Sequence, residues 1–227
     1  MHDSVLVIAA HPDDEVLGCG GTLAKWVDAG ASVHVAFLAD GVFSRSGEPQ
    51  AQQAQLAERR SAARTACGIL GVHSVSFGDF PDNRMDTVAL LDIAQAVEAL
   101  VREHLPDTVL THHAGDVNVD HRLLHEAVVT ACRPQAGHPV KTILCFEIAS
   151  STEWQLPASA QPFAPNWFVD ISATFARKMD ALQTYSEELR EWPHPRSLQG
   201  VAHLAHWRGA TVGVDAAEAF ILGRRLL

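Results

Sequence analysis

Two kinds of apolar pattern alternate along the chain. Short β-branched runs recur at "SVLVIAA" (4–10), "ASVHVAFLA" (31–39), "HSVSFG" (73–78), "DTVLTH" (107–112) and "VKTILCFEI" (140–148). Runs of this length, bounded by glycine, proline or polar residues, predict buried strands. Between them, apolar residues fall at helical spacing. Over 20–30, Leu23, Trp26 and Val27 share one face and Gly30 marks a stop. Further helices are expected over the alanine-rich stretch 50–70, over 87–105 ending before Pro106, and over 121–132 closed by Arg133 and Pro134. A polar loop is expected over 40–49. Strands alternating with helices predict an α/β fold, a mainly parallel sheet with helices on both faces. From Ala149 to Trp167 the pattern dissolves into Ser, Pro, Ala and Gln, the composition of a loop or lid. Two helical stretches (171–189 and 198–211) and a last strand (217–224) are expected after it.

Composition narrows the class. With 227 residues, 47% of them hydrophobic, the chain suits one core, so residues 1–227 are expected to form a single domain. A net charge of -10 argues against binding a phosphate backbone, and nucleic acid is not an expected partner. Cys19, Cys67, Cys132 and Cys145 are widely spaced with no CxxC pair, which points to buried, reduced thiols in a cytoplasmic protein. The opening "MHDSVLVIAAHPDDE" has no basic leader and acids interrupt its apolar run, so neither a signal peptide nor a membrane span is expected. A homo-oligomer is left open.

The candidate chemistry sits in two loops. "AHPDDE" (10–15) follows the first predicted strand and "THHAGDVNVDH" (111–121) overlaps the end of the fourth. Open parallel sheets collect ligands beyond the carboxyl ends of their strands, so both loops are expected at one edge. His11 and Asp14 lie three apart on a tight loop and can converge, and His121 at a helix start can add a third ligand. Two imidazoles and one carboxylate leave a tetrahedral zinc with an open position, as in catalytic sites. Asp13 stands beside the ligands without belonging to them, placed to accept a proton from water. "GCGGT" (18–22) lacks the full G-x-G-x-x-G and follows acids that would repel phosphate, so its glycines are expected to serve packing, as is Cys19. Asp82, Asn83 and Arg84 suit either a sugar pocket or a turn at Pro81, and "WPHPRS" (192–197) suits either a sugar or phosphate contact or an ordinary loop.

Together, "AHPDDEVLGCGGTLAKWVDAG" and "GDVNVDHR" resemble the LmbE-like, or PIG-L, family of zinc-dependent N-deacetylases. The resemblance implies a Rossmann-like sheet and hydrolysis of the acetamide of an N-acetylglucosamine-type sugar or conjugate, a small amino-sugar substrate. It implies zinc on His11, Asp14 and His121, Asp13 as general base and Arg59 as a substrate contact. Two positions depart from the family pattern. Ala62 stands where an acid follows the arginine, and Asn118 stands where many members carry the first histidine of His-Pro-Asp-His. Asp120 remains as the carboxylate behind that histidine. The missing acid role is expected either to pass to His194, His112 or His113 or to be absent altogether, with Asn118 and Arg196 contacting substrate. Two other readings stay open: another zinc amidase acting on a glycosyl conjugate, and a sugar- or metal-binding module without catalysis, which Asn118 favours and Asp13 opposes.

Overall fold

The computed structural model describes residues 3–41 and 49–227, so most of the loop expected over 40–49 lies outside the described residues. Strands β1 (Ser4–Ala9), β2 (Ser32–Ala39), β3 (Ser74–Phe80), β4 (Thr108–His112) and β5 (Thr142–Phe146) form a parallel sheet. It is extended by β7 (Ala217–Arg225), antiparallel to β5, and by β6 (Trp167–Asp170), antiparallel to β7, in the order β3-β2-β1-β4-β5-β7-β6. The helices are α1 (Asp14–Asp28), α2 (Pro49–Leu70), α3 (Leu90–His104), α4 (Val119–Ala131), α5 (Phe175–Gln183) and α6 (Leu198–Ala210). No helix among the described residues is long and apolar enough to cross a membrane.

The continuous apolar character of β1 follows from burial on both faces. Val5, Val7 and Ala9 enter one core with Leu23 of α1, Ala63 of α2 and Leu182 of α5. Leu6, Ile8 and Ala10 enter a second core with Ile93 and Val97 of α3 and Leu124 of α4. Because β1 is flanked by β2 on one side and β4 on the other, the chain order reverses between β1 and β4. Loops leaving these two strands diverge and open a crevice at the carboxyl edge of the sheet.

The glycines of 18–21 serve packing, as expected. A Cβ on Gly18 would come within 2.5 Å of the Phe146 ring, and one on Gly21 within 2.7 Å of Ile171. This close approach lets a buried ion pair enter α1. Lys178 Nζ donates to Glu218 Oε1 at 2.5 Å and to Leu17 O at 2.9 Å, the carbonyl that the Gly21 N–H would take in a regular helix. The Gly21 and Thr22 N–H groups donate to the Glu218 carboxylate at 2.9 and 2.7 Å.

Two expectations need correction. The stretch expected to be irregular up to Trp167 ends in β6, an edge strand that pairs with β7 alone. The helix expected over 171–189 is confined to Phe175–Gln183. At its start, Thr174 turns back onto Ile171 O and donates its hydroxyl to Gly21 O. Beyond its end, Tyr185 is drawn inward to hydrogen-bond Glu15.

Removing one member of a buried, hydrogen-bonded ion pair strands the other. Glu218→Ala is therefore expected to lower the unfolding free energy by about 3–5 kcal/mol in urea titration. A loss below about 1 kcal/mol would show that α1 does not depend on the pair.

Candidate active site

The end of β1 and the start of α1 form one tight turn. Asp14 N donates to His11 O at 3.2 Å, and His11 N donates to Asp14 Oδ2 at 2.8 Å. Across the crevice, Asn118 caps α4 by accepting the Asp120 N–H at 2.8 Å, which sets His121 in the first helical turn. His11 Nδ1 and His121 Nε2 each lie 3.4 Å from Asp14 Oδ2, and the ligand atoms of the three residues lie within 4.8 Å of one another. A tetrahedral ion with bonds of about 2.1 Å separates its ligand atoms by about 3.4 Å. Neither nitrogen of the buried His121 ring has an aligned hydrogen-bond partner, as suits a ring held for a metal. The three residues therefore form a candidate His/Asp metal site.

Carboxylates hold both imidazoles from behind. His11 Nε2 lies 3.0 Å from Asp120 Oδ2, leaving Nδ1 toward Asp14. Asp120 is fixed by the Asn83 and Met85 N–H groups at 2.6 and 3.0 Å. Asp116 Oδ1 stands 3.2 Å from His121 Nδ1, and Asp116 accepts hydrogen bonds from the Ser151 and Thr152 hydroxyls. Such carboxylates orient ligand rings and raise their basicity. Burial depresses the pKa of His121, but Asp14 and Asp116 outweigh it and hold the ring at about 9. Burial is likewise outweighed at His11, by Asp120, Asp14 and Asp82, and its pKa stands well above the usual value. At Asp14 burial raises the pKa, and the surrounding His121, His112 and His11 bring it well below the ordinary carboxylate range.

A cavity of about 110 Å³ opens over this triad. Asp13 lines it, as do Arg59, Asn118 and Arg196 from the walls, with Asp82, Asn83 and Glu188 between them. Arg196 NH1 donates to Asp13 Oδ2 at 3.1 Å and lies 3.7 Å from Glu188, which also pairs with Arg59. Burial raises the pKa of Asp13, an effect that Arg196 reduces without cancelling. Burial also lifts Glu15, directly behind the turn, to about 8.

The three histidines expected to replace the family acid lie elsewhere. His194 does not line the cavity; its Nδ1 accepts the Arg196 N–H at 3.1 Å and its ring meets Trp154 edge-on. His112 is wholly buried, accepts the Ala10 N–H through Nε2 and stacks on His121 at 3.9 Å. His113 faces Gln161 O and Phe163. Asn118 spends its side chain on Asp120 N and on Asn83 Oδ1. Asp82 and Asn83 reach the cavity wall, whereas Arg84 does not. Sequence reasoning missed Asp116, Glu188 and the Glu15–Tyr185 contact. Asp116 lay inside the second quoted motif, but nothing there indicates which carboxylate faces which ring.

The parallel sheet and the His/Asp cluster at its switch point define an α/β protein with an enzyme-like site. The chain belongs to the PIG-L family: residues 6–132 match the family described as GlcNAc-PI de-N-acetylase. A protein of Escherichia coli K12 named "Uncharacterized deacetylase YaiS" is 31% identical over 80% of this chain and 89% of its own. The diacetylchitobiose deacetylase of Thermococcus kodakarensis is 29% identical, covering 82% of this chain and 70% of its own. The structure of GalB, the 4-carboxy-2-hydroxymuconate hydratase of Pseudomonas putida, superposes with a TM-score of 0.79 at 23% identity, over 99% of this chain and 98% of that one. This last likeness is one of fold alone.

The triad makes metal binding testable without a substrate. Purified protein is expected to take up about one divalent ion per chain, and His11→Ala, Asp14→Ala and His121→Ala to lose it in elemental analysis. Full retention in any two of these variants would rule the assignment out. A metal needs bare ring nitrogens, so protons held by His121, at about 9, and by His11 must leave on binding. Affinity is therefore expected to rise with pH through neutrality, by about tenfold per unit for each proton released, and to level off only once both rings have lost their protons. Calorimetry in buffers of different ionisation enthalpy would count those protons.

Proposed function

We propose that this protein is a zinc-dependent hydrolase that removes the N-acetyl group from an N-acetylglucosamine-type sugar or conjugate. The observation that carries this reading is the Asp13 carboxylate, which lines the cavity beside the triad, belongs to no ligand set and has a raised pKa. Two imidazoles and one carboxylate form the donor set of catalytic zinc with an open position. When bound, zinc supplies the Lewis acidity that polarises an amide carbonyl and acidifies a water.

The chain's own residues supply the rest. Asp13 accepts the proton that the water gives up as its oxygen bonds to the acetyl carbon. Arg196 fixes the direction of that carboxylate. Burial makes Asp13 more basic than a surface carboxylate, so it can retain the proton and pass it to the amide nitrogen. The C–N bond then breaks, giving acetate and a free amine. With Asn118 unable to act as an acid and His194 outside the cavity wall, Asp13 carries both transfers. Arg59, Arg196 and the Asn83–Asn118 pair present hydrogen-bonding groups suited to sugar hydroxyls. The four buried free cysteines accord with a reducing cytoplasmic setting.

Asn118, in the place of the family histidine, favours one second reading: a module that binds zinc and sugar without turnover. Acetate release from N-acetylglucosamine, N,N'-diacetylchitobiose and N-acetylglucosaminides by the zinc-loaded protein decides between them. Asp13→Asn is expected to keep zinc while turnover falls by roughly 10²-fold or more. The acidic limb of the wild-type rate profile is expected above the ordinary carboxylate range, because Asp13 must be ionised to start the reaction. His194→Ala is expected to retain that limb and to weaken substrate binding, through Arg196, more than it slows turnover. Near-normal turnover in zinc-loaded Asp13→Asn would assign the base elsewhere.

A further inference from the structure

Asp13 has a backbone conformation that its side chain does not favour, with φ 121° and ψ -27°. Positive φ at a residue other than glycine is strained and persists only where the surroundings enforce it. Its effect here is geometric. Asp13 and Asp14 are consecutive, yet both line the same cavity. A regular helical turn would separate their directions by roughly 100°.

The contacts that hold this conformation come from two sides. Asp13 O accepts the Val16 and Leu17 N–H groups at 3.1 and 3.0 Å, which starts α1. Its N–H donates to Glu15 Oε2 at 3.1 Å, the carboxylate reaching back from α1. Glu15 is completely buried and, among the described residues, has no cationic partner. Its other oxygen, Oε1, accepts the hydroxyl of Tyr185 at 2.5 Å, and the Cys67 thiol lies 3.9 Å away. Tyr185 is the single tyrosine of the chain and is 2% exposed. An acid that only complemented the positive end of α1 could do so from solvent. This one is enclosed, with one oxygen on the strained N–H and the other on a phenol brought from beyond α5.

We infer that Glu15, steadied by Tyr185, is a positioning residue that holds Asp13 in its left-handed conformation and so aims the Asp13 carboxylate into the cavity beside the triad. The inference rests on the reading of Asp13 as the base. Tyr185 belongs to the same turn as Glu188, whose N–H donates to Tyr185 O at 2.9 Å. Glu188 in turn supports Arg196, the partner of the Asp13 carboxylate. One turn after α5 thus steadies Asp13 at both its backbone and its side chain. Tyr185 and Glu188 both lie outside the residues that match the family, 6–132.

Crystal structures of zinc-loaded Glu15→Ala, Glu15→Gln and Tyr185→Phe test this without any substrate. Glu15→Gln keeps an oxygen for the Asp13 N–H, and Tyr185→Phe removes only a hydroxyl, so folding is least at risk in these two. Asp13 is expected to leave positive φ and lose Arg196 in Glu15→Ala, to stay in Glu15→Gln, and to show mixed conformations in Tyr185→Phe. An unchanged Asp13 in both Glu15→Ala and Tyr185→Phe would overturn the inference. If Glu15→Ala does not fold, Tyr185→Phe alone decides, and a single unchanged Asp13 conformer there would overturn it.

Acetate release from N,N'-diacetylchitobiose adds a second arm. In the native background, Glu15→Ala is expected to lower kcat by roughly 10²-fold with KM and zinc content little changed, the scale of a misplaced catalytic group. In the Asp13→Asn background it is expected to add almost nothing. Equal losses in both backgrounds would mark Glu15 as merely structural. If Asp13→Asn itself leaves turnover near normal, the reading of Asp13 as base fails, while the crystal structures still report on the positioning.

Discussion

Everything at the carboxyl edge of the sheet is arranged around one buried carboxylate. Asp14 is 2% exposed, and its Oδ2 lies 3.4, 3.4 and 3.5 Å from ring nitrogens of His11, His121 and His112. An isolated carboxylate at that depth would cost several kcal/mol. Here ring nitrogens of three imidazoles face it, and further carboxylates stand behind two of those rings, Asp116 at His121 and Asp120 and Asp82 at His11. Asp14 begins α1 and His121 lies in the first turn of α4, and the two meet because β1 and β4 are neighbours whose loops open to the same side. The loop after β3 and the turn after β5 are drawn in because their N–H and hydroxyl groups satisfy Asp120 and Asp116.

How much of this is legible in the sequence depends on the range over which each feature is decided. The central strands are legible because both faces are buried, which leaves uninterrupted apolar runs such as Val5 to Ile8. The clustering of the triad is legible because two of its residues share one turn and the third opens a helix. Strand β6 is not, since four residues at a sheet edge leave too little pattern to read. Nor is the early end of α5: its sequence remains helical in composition, but the Tyr185 hydroxyl is satisfied 170 residues away, at Glu15. His194 and Arg196 show a finer limit. They lie two apart in one proline-bounded loop, yet the loop turns one toward Trp154 and the other into the cavity. Composition alone does not distinguish those directions.

The chain divides the labour between its two ends. Residues 6–132, which match the family, contain His11, Asp13, Asp14 and His121. Glu188 and Arg196, which set the electrostatic surroundings of Asp13, come from the later part of the chain. The hydratase GalB shares the fold, so the sheet does not by itself choose a reaction. Function lies in the side chains that line the cavity over the triad.

Those charges also bear on what enters. The cavity is lined by four acids, Asp13, Asp14, Asp82 and Glu188, against two arginines, Arg59 and Arg196. With a divalent ion in place the formal charges balance if the lining histidines are neutral, as metal ligands must be. Both arginines are already paired with Glu188. An anionic substrate would have to displace that carboxylate or lie beside it, and like charges in a confined space are costly. A neutral, hydroxyl-rich substrate meets no such conflict, because it brings no charge of its own against these ion pairs. A neutral acetamido sugar therefore suits a site whose charges are already matched among themselves.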